Sequence, residues 1–142
     1  MNTGPKGLND YLHFLTNCQS MEALWDAHIA RMYAYGFDRL IYGYTRFRSG
    51  ESLGDPADFV ILTNHDRAYT DVFLGDQYYE RAPMVNWALE NEGACSWGIL
   101  TKLQRAKELT ENERRFLEFN YSMGVTAGYT VSFKSVSARS NG

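Results

Sequence analysis

Several signatures of chemistry are scarce or missing in this sequence. Only two cysteines occur, Cys18 and Cys95. Two cannot build a disulfide framework, so unpaired thiols in a reducing compartment are expected. No run is apolar and long enough to span a bilayer, and the start MNTGPKGLNDYL lacks the apolar core of a signal peptide. The expected location is the cytoplasm, with no membrane as partner. Basic charge is not in excess: the formal net charge is -3. Arg46, Arg48, Arg114 and Arg115 are scattered or sit beside acids and read as solvated faces. Direct nucleic-acid binding by this chain is therefore not expected.

Catalytic and cofactor motifs are absent as well. The three histidines, His13, His28 and His65, match no metal-ligand spacing, and there is no HExxH or CxxC. No GxSxG elbow and no phosphate loop is present; Gly50 and Gly54 in SGESLG read as turn residues. A nucleophilic site on Cys95 has no partner in the local sequence, and only folding can bring His65 near it. The expectation is no enzyme, no metal and no cofactor.

What the chain has in quantity is aromatic residues, 15% of 142 residues, with 10 tyrosines. Hydrophobic residues make up 44% and charged residues 22%, a composition that supports a folded core in a chain of one-domain length. Tyr42, Tyr44, Tyr69, Phe73, Tyr78, Tyr79, Trp87 and Trp97 fall on or between the central elements. Apolar bulk with a few phenol, indole and hydroxyl groups fits either an enclosed site for a small amphipathic molecule or a tyrosine-rich core.

Periodicity outlines the elements. Leu8, Tyr11, Leu12 and Leu15 repeat with helical spacing. Ser20 caps a second helix with the stripe Met21, Leu24, Trp25, His28, Ile29 and Met32, and Gly36 stops it. On that stripe His28 reads as a hydrogen-bonded core residue. LIYGYTRF alternates as a strand, and Gly43 leaves room beside it. FVILTN is apolar enough for a strand covered on both faces. DRAYTDVF reads as a helix broken by LGDQ, and APMVNWALEN as another that opens on Pro83. Gly93 to Trp97 reads as a short extended piece. Thr110 with Glu113 forms a capping-box signature before a helix carrying Phe116, Phe119 and Met123.

The last strand, AGYTVSF, places Tyr129, Val131 and Phe133 on one side, expected to pack a core. Gly128, Thr130 and Ser132 lie on the other, which suits an open sheet face or a cavity wall. The tail KSVSARSNG reads as a loop. The fold class is α+β, an α/β/α sandwich with a central, mostly antiparallel sheet flanked by helices. A doubly wound fold fits less well, because no helix joins the first two strands and no GxGxxG follows a strand.

YGFDRLIYGY, LTNHDRAYTDVF, APMV, Trp97 and LTENERRFLEFNYSMGVTAGYTV occur in an order and spacing that resemble the N-terminal signal-binding domain of LuxR-type quorum-sensing regulators. The resemblance runs from about Met21 to Phe133. It implies a sandwich enclosing an N-acyl homoserine lactone or a similar amphipathic signal, and dimerisation with itself or a related regulator. It also implies a ligand-binding set. His65 stands where the family has a tyrosine near the ligand amide. Tyr69 stands where a tryptophan donates to the lactone carbonyl, and Phe73 at a further aromatic position. Ala82, before Pro83, takes the place of an aspartate that accepts the ligand amide N–H. Met84, Trp97 and Thr130, with Tyr42 and Gly43 on the first strand, complete the set. The resemblance further implies one domain over residues 1–142, C-terminally shortened and without the family's helix-turn-helix. A ligand-independent module that dimerises with full-length regulators is the alternative reading.

Overall fold

Ser20 accepts a hydrogen bond on its side chain from the Ala23 amide at 3.1 Å and thereby starts the longest helix of the chain's first part. In the computed structural model, which describes residues 7–46, 48–49 and 51–133, that helix is α2, Met21–Ala34. It follows α1, Leu8–Thr16. Gly36, at φ +97°, ends the α2 turn with its amide bonded to the Tyr33 carbonyl. The expected tail, Phe47 and Gly50 lie outside the described residues.

The chain divides into two compact units. One comprises Met1–Ile41 with Leu62–Asn64, and the other Tyr42–Ile61 with His65–Gly142. In the first, the Tyr11 hydroxyl lies 2.7 Å from His28 Nδ1, so His28 is hydrogen-bonded as expected, but it is half-buried rather than a core residue, and α2 fully buries none of its residues. The Arg31 guanidinium covers the Tyr11 and Tyr35 rings at 5.3 and 5.2 Å. Asn64 holds the segment before the first strand from both ends of its amide. It accepts from the Leu40 amide at 2.6 Å and donates to the Asp38 carbonyl at 2.9 Å.

Strands β1, Ile41–Tyr44, and β2, Val60–Thr63, form one two-stranded sheet. Strands β3, Gly93–Ser96, and β4, Tyr129–Ser132, form a second, antiparallel one with Cys95 opposite Thr130. The mixed α+β class is as expected. Among the described residues the strands fall into two small two-stranded sheets rather than one central sheet. β2 is half-covered at Ile61, Leu62 and Thr63 and exposed at Val60, less enclosed than its apolar run suggests.

In the second unit, α3, Arg67–Thr70, runs into a wider turn over Asp71–Gly75. There the Asp76 amide reaches the Asp71 carbonyl at 3.1 Å, five residues back, so the expected single helix is split in pitch. A tight three-residue-per-turn segment, Tyr78–Arg81, then leads to Pro83, which opens α4, Pro83–Glu90. Helix α5, Gly98–Arg105, was not legible from spacing and buries Leu100. Helix α6, Glu111–Ser122, begins on the expected capping box, with Thr110 and Glu113 each bonding the other's amide. Its Phe116 is fully buried in a cluster with Tyr69, Phe73, Tyr79, Ala82, Met84 and Leu100.

Two sequence expectations reverse around β4. Val131 is 62% exposed, and Tyr129 and Phe133 are also outside, whereas Ser132 is buried and Thr130 half-buried. The small side of the strand faces inward because α4 lies on it. The Ser132 hydroxyl donates to the Ala88 carbonyl at 2.7 Å, an approach a large side chain would block. Arg48 is not a solvated arginine. It is half-buried, donates to the Ser132 hydroxyl at 2.9 Å and also bonds the Ala88 carbonyl, so it ties the end of α4 to β4. Arg114 and Arg115 pair with Glu111 on the exposed face of α6, as expected.

Candidate functional site

Trp97 begins the site. The residue follows β3 directly and its amide bonds the Gly128 carbonyl at 2.9 Å, which anchors it beside β4. A Cβ placed on Gly128 would stand 3.2 Å from the six-membered part of the indole, so the glycine lets the ring lie flat on the backbone. From that position the indole Nε1–H donates to the Thr130 hydroxyl at 2.8 Å. Thr130 retains its own O–H as a donor.

Beside this pair lies a small cavity of about 10 Å³, lined by Met84, Trp87, Cys95, Trp97, Leu100 and Thr130 among others. That volume admits one water-sized group. A larger molecule enters only by moving side chains apart, which makes its binding part of the packing of the core.

Tyr69 forms the second polar point. Its hydroxyl donates to Asn120 Oδ1 at 2.8 Å, and both residues are buried. Asn120 was not singled out in the sequence. It lies on the α6 stripe one turn past Phe116, and the buried side of that helix was its only signal. The Tyr69 donor is thus engaged within the protein.

Stacked rings lead away from this point. His65 lies on Tyr69 at 4.4 Å between centroids and Tyr69 on Phe73 at 5.4 Å. Phe73 meets Tyr79 at 6.0 Å, and Tyr79 meets Phe59 at 5.7 Å. These spacings are those of favourable ring pairs. Ala82 is 0% exposed in the middle of the same cluster, with no side-chain acceptor to offer. Burial pushes the Tyr79 phenol above its ordinary pKa, helped by the negative charges of Glu80 and Asp55.

Of the nine residues expected to bind a ligand, Tyr69, Phe73, Ala82 and Met84 share one buried cluster, and Trp97 packs against it. Thr130 joins through Trp97, and His65 through Tyr69. Tyr42 and Gly43, on β1, are not members of that cluster. Tyr42 stacks on Phe133 at 6.1 Å. A Cβ on Gly43 would meet Ile61 at 3.4 Å, an ordinary contact, so the glycine leaves no large gap beside the strand. Tyr79, one of the aromatic residues noted in the sequence but not one of the nine, extends the ring series together with Phe59.

Among the described residues, no group of three or more His, Cys, Asp or Glu side chains is placed to hold a metal ion, and no helix is long and apolar enough to cross a membrane. Cys95 directs its thiol to the Ser96 carbonyl at 3.5 Å.

A comparison with characterised proteins finds no match, and one with solved structures finds none either. The family model described as the autoinducer-binding domain matches residues 20–141. That family binds a small-molecule signal and is not catalytic. The chain belongs to the autoinducer-binding domain family, the ligand-sensing regulatory domain of LuxR-type regulators.

Proposed function

We propose that this domain senses an N-acyl homoserine lactone, or a signal of the same amphipathic kind, in the space bounded by Trp97, Thr130, Met84, Ala82, Tyr69, Phe73 and His65. The observation that carries this reading is the Trp97–Thr130 pair beside an apolar cavity. One polar group for a ligand head next to an apolar wall is the pattern of a small-molecule site. Thr130 donates to a head-group carbonyl. Tyr42 and Gly43 are the outer candidates on β1.

Thermal unfolding with a panel of acyl-homoserine lactones tests the reading. A ligand at 100 times its Kd raises stability by roughly 2.7 kcal/mol by mass action, a readily measured rise in Tm. No shift with any lactone at concentrations well above micromolar rejects the lactone assignment.

In the same reading residues 1–142 act as one cytoplasmic sensing domain. It pairs with a second copy or a related regulator and does not touch nucleic acid itself. The outward apolar side of β4, with Tyr129, Val131 and Phe133, supports pairing. Sedimentation that finds only monomer, alone and with a LuxR-type regulator, rejects this part.

A further inference from the structure

The Tyr79 hydroxyl is buried and meets no hydrogen-bond partner among the described residues, although Tyr79 is only 5% exposed. A buried polar group left unpaired costs stability, so a phenol persists there against a simple alternative: phenylalanine would fill the same space without the penalty. The hydroxyl therefore calls for a partner that is not part of the described chain.

Its place in the fold says what kind. Tyr79 precedes Ala82 by three residues in a tight turn, with the Ala82 amide on the Tyr79 carbonyl at 3.0 Å. Residues so spaced eclipse, so both side chains enter the same buried cluster. The rings Tyr69, Phe73 and Tyr79 follow one another at 5.4 and 6.0 Å. Tyr69 has its hydroxyl on Asn120, and Tyr79, at the far end, has the orphan. Between them is Phe73, wholly apolar. A molecule lying along this series meets a polar point, an apolar stretch and then one more polar point.

We propose that the Tyr79 phenol is a specificity residue of the sensing site and donates a hydrogen bond to a carbonyl oxygen carried on the signal's otherwise apolar chain. The inference rests on the signal-sensing reading above and names a feature of the signal. An acceptor fits better than a donor, because burial keeps the phenol protonated and a neutral phenol gives its proton more readily than it accepts one.

The test is calorimetric titration of the wild-type domain and Tyr79→Phe with two acyl-homoserine lactones. They share chain length and differ only in a keto group on the acyl chain. The wild type binds the keto lactone about tenfold more tightly, the value of one net hydrogen bond. Tyr79→Phe binds the two alike, and without ligand it unfolds at the same temperature as the wild type or higher. A preference that survives in Tyr79→Phe overturns the proposal. So does a lower Tm of the free variant, which would give the hydroxyl a partner within the protein. Equal binding of both lactones by the wild type overturns it and leaves the sensing reading intact. Binding of neither lactone overturns both.

Discussion

The Trp97 indole donates to the Thr130 hydroxyl across 2.8 Å, and Gly128, two residues before Thr130, supports the face of the same indole at a separation no side chain would tolerate without a shift. One strand thus sets both the height and the direction of the ring. The strand's inner side is small because of these two contacts and the close approach of α4.

Gly128→Ala tests that support. The added methyl stands 3.2 Å from a rigid ring, tighter than ordinary contact. The ring must tilt away and lengthen its bond to Thr130. We expect a loss of about 1–3 kcal/mol in stability, the usual cost of overpacking, with weaker signal binding. Denaturant unfolding measures the first, and an unchanged midpoint would show that the ring has room to move.

Tyr69→Phe removes the donor to Asn120 and leaves a buried amide oxygen unpaired. The expected cost is about 1–3 kcal/mol. Tyr69→Phe with Asn120→Leu removes both partners and should recover part of that loss. A double-mutant cycle reads the coupling directly. No coupling between the two positions would mean that the bond contributes nothing to stability.

Ala82→Asp restores an acceptor at a position 0% exposed. In the free domain the new carboxylate is buried without a cation, and we expect a loss of roughly 3–5 kcal/mol. For an acyl-homoserine lactone the same carboxylate accepts the amide N–H, and affinity should rise by about one to two decades. Thermal shift with and without lactone separates the two effects. A variant no better at binding would place Ala82 outside the ligand's reach.

How far the sequence discloses all this depends on the kind of signal. Ser20, Gly36, Thr110 and Glu113 act through the backbone within one turn of themselves, and their helix ends lie where spacing puts them. The aromatic residues of the cluster are equally legible as apolar bulk. Long-range choices are not. AGYTVSF alternates cleanly, yet alternation cannot say which side faces inward. Ser132 faces in because a carbonyl from α4 and a guanidinium from Arg48 await it, 44 and 84 residues away in sequence. The same holds for Asn120, whose partner Tyr69 is 51 residues distant. Tyr79 looked like one tyrosine among many, and only burial without a partner sets it apart.

His28 gives a pH dependence. Burial lowers its pKa below the ordinary value, and its Nδ1 lies 2.7 Å from the Tyr11 hydroxyl. The unfolded chain takes up a proton near pH 6.5, at about the ordinary histidine value, while the folded chain resists it to lower pH. The contribution of His28 is therefore fully present above about pH 6.5 and is lost as pH falls towards the lower folded value. Unfolding of the wild type and of His28→Gln between pH 7.5 and pH 5 isolates the effect. The wild type should lose more stability than the variant on acidification, and parallel curves would reject the assignment.

Nitrogen–proton correlation spectra recorded during titration with an acyl-homoserine lactone test the central claim most directly. The chain has three tryptophans, Trp25, Trp87 and Trp97, and hence three indole N–H signals. The Trp97 signal should move as ligand is added, because its proton lies on Thr130 at the wall of the site, while that of Trp25, on α2, stays in place. A Trp97 signal that does not move at saturating lactone, or spectra that do not change at all, would contradict the account.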